Sequence, residues 1–431
     1  MAEKKPLRKP FSLHLNEEAF DFGGLTGGDF APATNQEKEN FIQDRPATSY
    51  WKDAWRRMRK NTVAMVALVI LVCIVLFAFV GPMVVPYGYD EFNSGAENLH
   101  PWHYSLEDQL AIEAAMVTPE QAVEQAKAEA EAEGRTLTPI QIAQIRAKAK
   151  AAGDRETVIQ ELGIKYKPFG YSRAELERKA AGENVFPHIF GTDGFGRDIM
   201  VRVMMGARVS MLVGICAALL VLCIGALYGS ISGYCGGMVD AVMQRIVEVI
   251  QSVPEVLVIL LMSTVLRASL NDYVSTHTGA FASLLNVLGA NIIAMFIAFG
   301  LLYWVTMSRI IRGQILQLKQ QEYVTAARAL GAKQGRIIKR HLLPNCVGQI
   351  VTTTFLQIPS AIFLESFLSF LGVGVDTPMT SLGSMCSDAL GGMYTYPERL
   401  LIPAALLSVT ILCLNLVGDG LRDALDPKLK K

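Results

Sequence analysis

Residues Thr62–Val85 read TVAMVALVILVCIVLFAFVGPMVV and carry no charged side chain. A run of about 20 apolar residues matches the hydrocarbon thickness of a bilayer. The run begins only at residue 62, behind a polar segment, and exceeds the roughly 7–15 apolar residues of a signal-peptide core. It reads as a membrane span that stays in the protein.

The same pattern recurs outward along the chain. Val209–Val239 is charge-free, Ile246–Leu266 is interrupted by Glu248 and Glu255, and Gly289–Ser308 is again clean. Val347–Val375 holds only Glu365, and Leu400–Gly418 closes the series. One such run could be a buried helix of a large soluble core. Six runs of this length predict an all-α integral membrane protein with six transmembrane helices. The 431 residues are 51% hydrophobic and only 19% charged, below the roughly 25% of soluble domains. With 40 basic against 40 acidic residues the chain lacks the basic excess of a nucleic-acid binder. Four of the 7 cysteines (Cys73, Cys216, Cys223, Cys413) lie inside apolar runs, where a thiol is a small hydrophobe, and none pairs at zinc spacing.

Basic residues orient the spans. Lys52, Arg56, Arg57, Arg59 and Lys60 precede the first span. Arg309, Arg312, Lys319, Arg328, Lys333, Arg336, Lys339 and Arg340 lie between spans four and five, opposed only by Glu322. The tail ends in Lys428, Lys430 and Lys431. The positive-inside rule puts all three groups, and both termini, in the cytoplasm. The expected organisation is a cytoplasmic segment 1–61, a first span 62–85, an extracytoplasmic helical insertion 86–206 and a core 207–419. Within the core, spans are expected at 208–234, 242–266, 286–308, 347–371 and 400–418, followed by a cytoplasmic tail 420–431.

The insertion is rich in Ala, Glu, Gln and Lys over Glu107–Lys150, a composition that favours exposed helix. Thr118-Pro119 and Thr138-Pro139 suit first helical turns, and Gly134 and Gly153 suit stops. Two or three short helices are expected. They form either a solvated structural face or a contact surface for an outer partner.

The loop 320–345 carries the most specific pattern. Gln321–Asn345 reads QEYVTAARALGAKQGRIIKRHLLPN. Glu322 opens a helix at the end where a carboxylate suits the helix dipole. Tyr323, Ala326, Ala327 and Leu330 share one face, and Gly331 provides a left-handed stop. A second short helix, Lys333–Leu343, is expected to end at Pro344. The small residues Ala326, Ala327 and Ala329 suit close approach by another protein better than burial in lipid.

This E-x-x-x-A-A-x-x-x-G pattern resembles the EAA loop of permease subunits from binding-protein-dependent ATP-binding-cassette importers. It is most similar to the second permease of the oligopeptide/dipeptide/nickel group. The likeness extends to Gly191-Thr192-Asp193-Gly194-Phe195-Gly196-Arg197-Asp198 and to Gly206-Ala207-Arg208-Val209-Ser210. It continues through Gly233-Tyr234-Cys235-Gly236-Gly237 with Asp240, Glu365–Gly372, and Asn415–Pro427. Three departures stand out: the length of the insertion Pro86–Val185, Leu382 where the family tends to carry Trp, and Glu255 directly after Pro254.

The resemblance implies a type I importer permease that moves oligopeptides by alternating access, with Glu322–Gly331 as the ATPase-coupling helix. It implies a heterodimer with a sister permease, two cytoplasmic ATP-binding subunits, an extracytoplasmic solute-binding protein, a peptide substrate and surrounding lipid, in a bacterial cytoplasmic membrane. The chain has no G-x-x-x-x-G-K-[ST] loop, so ATP and Mg are expected on the partner ATPases and no cofactor or metal on this chain. Dipeptides, nickel or another small solute remain alternative cargoes. A non-transporting receptor is the reading from another class.

Two features inside the spans invite functional readings. Gly225, Gly229, Gly233 and Gly237 recur every four residues, giving either close helix packing or a face that slides during transport. Glu255 and Glu365 are intramembrane carboxylates, expected to line a cavity or gate or to pair with the neighbouring permease.

Overall fold

The computed structural model describes residues 50–425 apart from 117–118, 133–136, 153–154, 281, 284, 286–288 and 376–378. The segment 1–49, the tail lysines and the expected stops Gly134 and Gly153 lie outside the described residues.

A short amphipathic helix α1 (Tyr50–Met58) leads to α2 (Thr62–Phe79), and the side chain of Asn61 between them caps α2 by accepting from Ala64 N–H at 3.2 Å. The 18 residues of α2 extend about 27 Å, one bilayer core. Only Ala64, Ala67, Ile74 and Ala78 are buried, one face of the helix; Val63, Val66, Val69 and Leu76 point outward as lipid contact requires. After the single turn α3 (Gly81–Val84) the chain leaves the bundle.

Six helices among the described residues are long and apolar enough to cross a bilayer. The second, α9 (Ile199–Cys235), has 37 residues and overshoots a bilayer of about 30 Å, so its first turns stand outside. The expected third span is corrected. The helix long and apolar enough to cross is α11 (Glu255–Thr276), set off from α10 (Gly237–Gln251) by a break at Ser252–Pro254, because proline cannot donate to the helical ladder. The fourth is α12 (Ala290–Leu302) continued by α13 (Trp304–Leu318), which reaches ten residues past the expected end at 308 and takes Arg309 and Arg312 onto a helix.

After α14 (Glu322–Ala329) and α15 (Gln334–Ile337), a π turn (Ile338–Leu342) and a 3-10 turn (Leu343–Cys346) run directly into α16 (Val347–Phe370). Pro344 therefore does not end a separate helix; it sits in the 3-10 turn, where its missing N–H costs little. A short re-entry, α17 (Leu382–Ala389), precedes the last span α18 (Glu398–Leu425). Helix α9 is the hub, packing on α13 and α16; α2 packs on α18.

Over Glu107–Lys150 the inserted module has three helices among the described residues, as expected, and two more follow. They are α4 (Leu106–Ala115), α5 (Pro119–Ala132), α6 (Pro139–Ala152), α7 (Arg155–Leu162) and α8 (Arg173–Ala180). A two-stranded antiparallel ribbon, β1 (Trp102–His103) with β2 (Lys167–Pro168), ties its base. Ile112 on α4 meets Val158 and Ile159 on α7 in a small core with Tyr104, while α5 and α6 pair with each other. Thr138 and Gln141 cap α6 reciprocally, as its Thr-Pro start implied.

Candidate functional site

Six crossings put the module and the 320–345 loop at opposite ends of the bundle. At the loop end, α14 is anchored by one side. Val324 is fully buried in a core with Ile311 and Ile315 of α13 and with Ile337 and Leu342 beyond the turn. Tyr323, Ala326 and Leu330 face outward, Leu330 at 88% exposure, while Ala327 is half-buried. Gly331 has φ +77°, and Ala332 N–H closes the turn on Ala327 C=O at 3.1 Å. Arg328 lies 5.9 Å from the ring of Tyr234 at the end of α9. The result is a helix fixed through Val324, with Tyr323, Ala326 and Leu330 on its outer side.

The glycines expected to form a stripe divide. At Gly225, Gly229 and Gly233 a Cβ would meet Met307, Ser308 and the Arg312 carbonyl of α13 at 2.7, 2.3 and 2.9 Å. Gly237 is corrected: it has φ +53°, starts α10, and nothing lies within 4 Å of where its Cβ would be. The packing face is three glycines long and ends at the Gly236-Gly237 turn. Just below, Asp240 of α10 receives a two-pronged bond from Arg312 of α13, Nε at 2.6 Å and Nη2 at 2.5 Å. Ser232 of α9 also donates to Asp240, and Lys319 Nζ donates to Gly233 C=O at 2.9 Å. The Arg312 guanidinium holds the Asp240 carboxyl below the usual carboxylate range.

Glu365, expected to line a cavity or gate or to pair with the neighbouring permease, is fully buried where α9, α16 and α17 meet. It accepts from Ser210 Oγ at 2.7 Å, Ser369 Oγ at 2.8 Å and Ser366 Oγ at 3.1 Å, and from the hydroxyl of Ser381. Glycine makes the approach possible: a Cβ on Gly383 would lie 2.1 Å from Ser366 C=O, and one on Gly206 would lie 3.1 Å from the Ser381 backbone. Leu382, where an aromatic was expected, is core, packed among Ile74, Val203, Ile362 and Leu414. Glu255 behaves differently. It is exposed at the first turn of α11, beside the break that precedes the third span, and interacts with the phenol of Tyr303.

At the module end, the Gly191–Asp198 motif is a turn stapled by its acids. Asp193 accepts from the backbone N–H of Phe195 and Arg197 and from both Arg197 Nε and Arg202 Nη1 at 2.7 Å. Asp198 caps α9 through Val201 N–H and also contacts His188 Nδ1 at 2.7 Å. His188 is buried, reaches Glu175 of α8 through Nε2 at 3.1 Å, and stacks on Tyr87 at 4.4 Å. Burial alone would lower the imidazole pKa, but its bonds to Asp198 and Glu175 outweigh that and push it up to about 9. An outward cleft of about 760 Å³ beside this turn is rimmed by Phe92, Phe195, Arg197 and Arg399.

The sequence reading missed the serines around Glu365, the His188 staple and the Asp240–Arg312 pair. Only Ser366 and Ser369, on the same helix as Glu365, were visible locally; the other partners come from separate segments.

Residues 225–431 match the family described as binding-protein-dependent transport system inner membrane component, and residues 49–101 match the N-terminal TM domain of oligopeptide transport permease C. The chain is 34% identical over 402 residues to the oligopeptide transport system permease protein OppC of Bacillus subtilis, covering 93% of this chain and 97% of that protein. It is also 34% identical over 400 residues to the dipeptide transport system permease protein DppC of the same organism, covering 92% of each. Over 241 residues it is 44% identical to OppC of Salmonella typhimurium, covering 56% of this chain and 72% of that protein. A bundle of six spans, a rigid helix–turn between the fourth and fifth, and likeness along nearly the whole chain agree, and the chain belongs to the inner membrane permease components of binding-protein-dependent transport systems.

Proposed function

We propose that this chain is one of two permease subunits of an ATP-driven importer that carries oligopeptides into the cell. The observation that supports this most is α14, fixed from behind by Val324 and offering Tyr323, Ala326 and Leu330 outward. An apolar face of this kind, on a helix outside the spans, suits a groove in a cytoplasmic ATP-binding subunit. ATP and Mg belong to a pair of such subunits. A sister permease completes the pathway, and the sparsely buried α11 offers a surface for it. An extracytoplasmic solute-binding protein delivers cargo at the module end. Both termini lie in the cytoplasm, following the basic residues around α1 and α14. Glu255, exposed beside the Pro254 break, is the acid we assign to the pathway side. The dipeptide permeases among its relatives support a second reading in which the cargo is shorter.

The test is uptake of labelled peptides of two to six residues by membrane vesicles holding the complete complex, with and without this chain. In the same assay, a double variant Ala327→Arg, Gly331→Val is expected to insert normally and to lose uptake. The arginine would bury an unpaired charge against the ATPase, and valine cannot hold φ +77° without strain. Full uptake by that variant at normal abundance rejects the coupling role of α14.

A further inference from the structure

The three-glycine face joins α9 to α13, and the ion pair below it joins α13 to α10, which Ser232 ties to α9. Gly225, Gly229 and Gly233 bring the α9 backbone against the α13 backbone, so near that each Cβ would overlap its neighbour. At Gly229 the contact is with the Ser308 backbone alone, while Met307 and Ile315 side chains flank it at Gly225 and Gly233. Below it, Arg312 of α13 grips Asp240 with two bonds, and Asp240 is held in turn by Ser232 of α9. Gln244 Nε2 donates to Ser232 at 3.1 Å, Tyr228 donates to Met243 C=O at 2.7 Å, and Lys319 Nζ donates to the Gly233 carbonyl near the end of α9. Three residues after Lys319, α14 begins.

We propose that Asp240 and Arg312 are positioning residues that clamp α9 to α13, so that these helices and α14 move as one rigid lever during transport. The three-glycine face is then a fixed joint and not a sliding surface, and a push on α14 arrives undiminished at the module end of α9. The forked geometry explains why arginine suits position 312: two parallel bonds fix the angle between helices, whereas a lysine would only fix a distance. This inference rests on the importer reading and deepens it by naming the path of force.

Two experiments on the assembled complex in vesicles test it. In a background without native cysteines, Gly233→Cys with Ile315→Cys places thiols on positions whose Cβ atoms would be 3.0 Å apart, slightly under disulfide spacing. We expect the bond to form with equal yield with and without ATP, and oxidised and reduced forms to take up peptide within twofold of each other. A yield that changes with ATP, or uptake that stops on oxidation and returns on reduction, overturns the rigid lever. Separately, Asp240→Asn and Arg312→Gln should each raise the ATP hydrolysed per peptide moved at least fivefold at unchanged abundance. The exchanged pair Asp240→Arg, Arg312→Asp should recover most of that loss. Wild-type coupling in the single variants, or an exchanged pair no better than they are, overturns the clamp. A wild-type complex that moves no peptide refutes the importer reading instead, while the cross-linking yields still judge the lever.

Discussion

Glu365 accepts a 2.7 Å hydrogen bond from Ser210, 155 positions earlier in the chain, and both side chains are sealed from solvent. That bond joins two stretches which the sequence shows as separate motifs, one within α9 and one ending α16. With Ser366, Ser369 and Ser381 the carboxyl group forms a polar knot in an apolar setting, where each hydroxyl left without a partner is costly.

Removing the knot's centre should therefore damage assembly more than chemistry. Glu365→Ala opens a cavity and orphans several hydroxyls, a loss of about 2–5 kcal/mol. Glu365→Gln keeps the shape and most bonds, because hydroxyls can turn to donate or accept. Thermal unfolding in detergent should show the alanine variant strongly destabilised and the glutamine variant close to wild type. A reversed order would return Glu365 to a role set by its charge.

His188 predicts a pH dependence at the module end. Its folded pKa of about 9 lies above the ordinary value of about 6.5, so its contribution is complete below pH 6.5 and disappears as pH rises through 9. Glu175, whose burial is outweighed by its bonds to His188 and Ser172, is held below its ordinary range and loses its contribution on acidification. Melting temperature measured from pH 6 to 10 should fall on the alkaline side. His188→Ala should flatten that fall and cost about 3–5 kcal/mol near neutrality, since it leaves two buried carboxylates without their cation. A wild-type profile that stays level to pH 10 would show that the imidazole is neutral.

Glycine substitutions should separate the joint from its surroundings. A Cβ at Gly229 would lie 2.3 Å from Ser308 C=O, so Gly229→Ala must pry α9 from α13, with overpacking costs of about 1–3 kcal/mol or more. Gly313, on α13 with open space where its Cβ would go, should gain slightly from alanine because helix propensity improves by about 1 kcal/mol. Membrane abundance and melting temperature of the two variants should move in opposite directions.

The exposed Leu330 should matter only to assembly. Leu330→Asp leaves the permease core untouched, because the side chain is 88% exposed and packs on nothing within the chain's cores. Affinity for the ATP-binding subunits should nevertheless fall at least tenfold in a pull-down titration, the scale of a central interface residue. Val324→Asp, by contrast, should lower abundance itself, since Val324 is fully buried.

The sequence alone determined the number of spans, the helix that carries Ala326 and Ala327, and the turn at Gly331. These are local properties. Hydrophobic runs register bilayer thickness over about 20 residues, and a helical face repeats every three or four. The break at Pro254 was equally local, yet an apolar run on both sides masked it. Tertiary structure decided what the buried polar groups do. Glu365 looked like a gate because one carboxylate in an apolar run is expensive; its four serines come from α9, α16 and the start of α17, and no window of sequence brings them together. Gly237 left the stripe for a similar reason, since a four-residue period says which residues share a face only while the helix continues, and α9 ends at Cys235. His188 and Asp240 acquired partners the same way, across helices whose pairing is set by packing between distant segments and not by the chain around each residue.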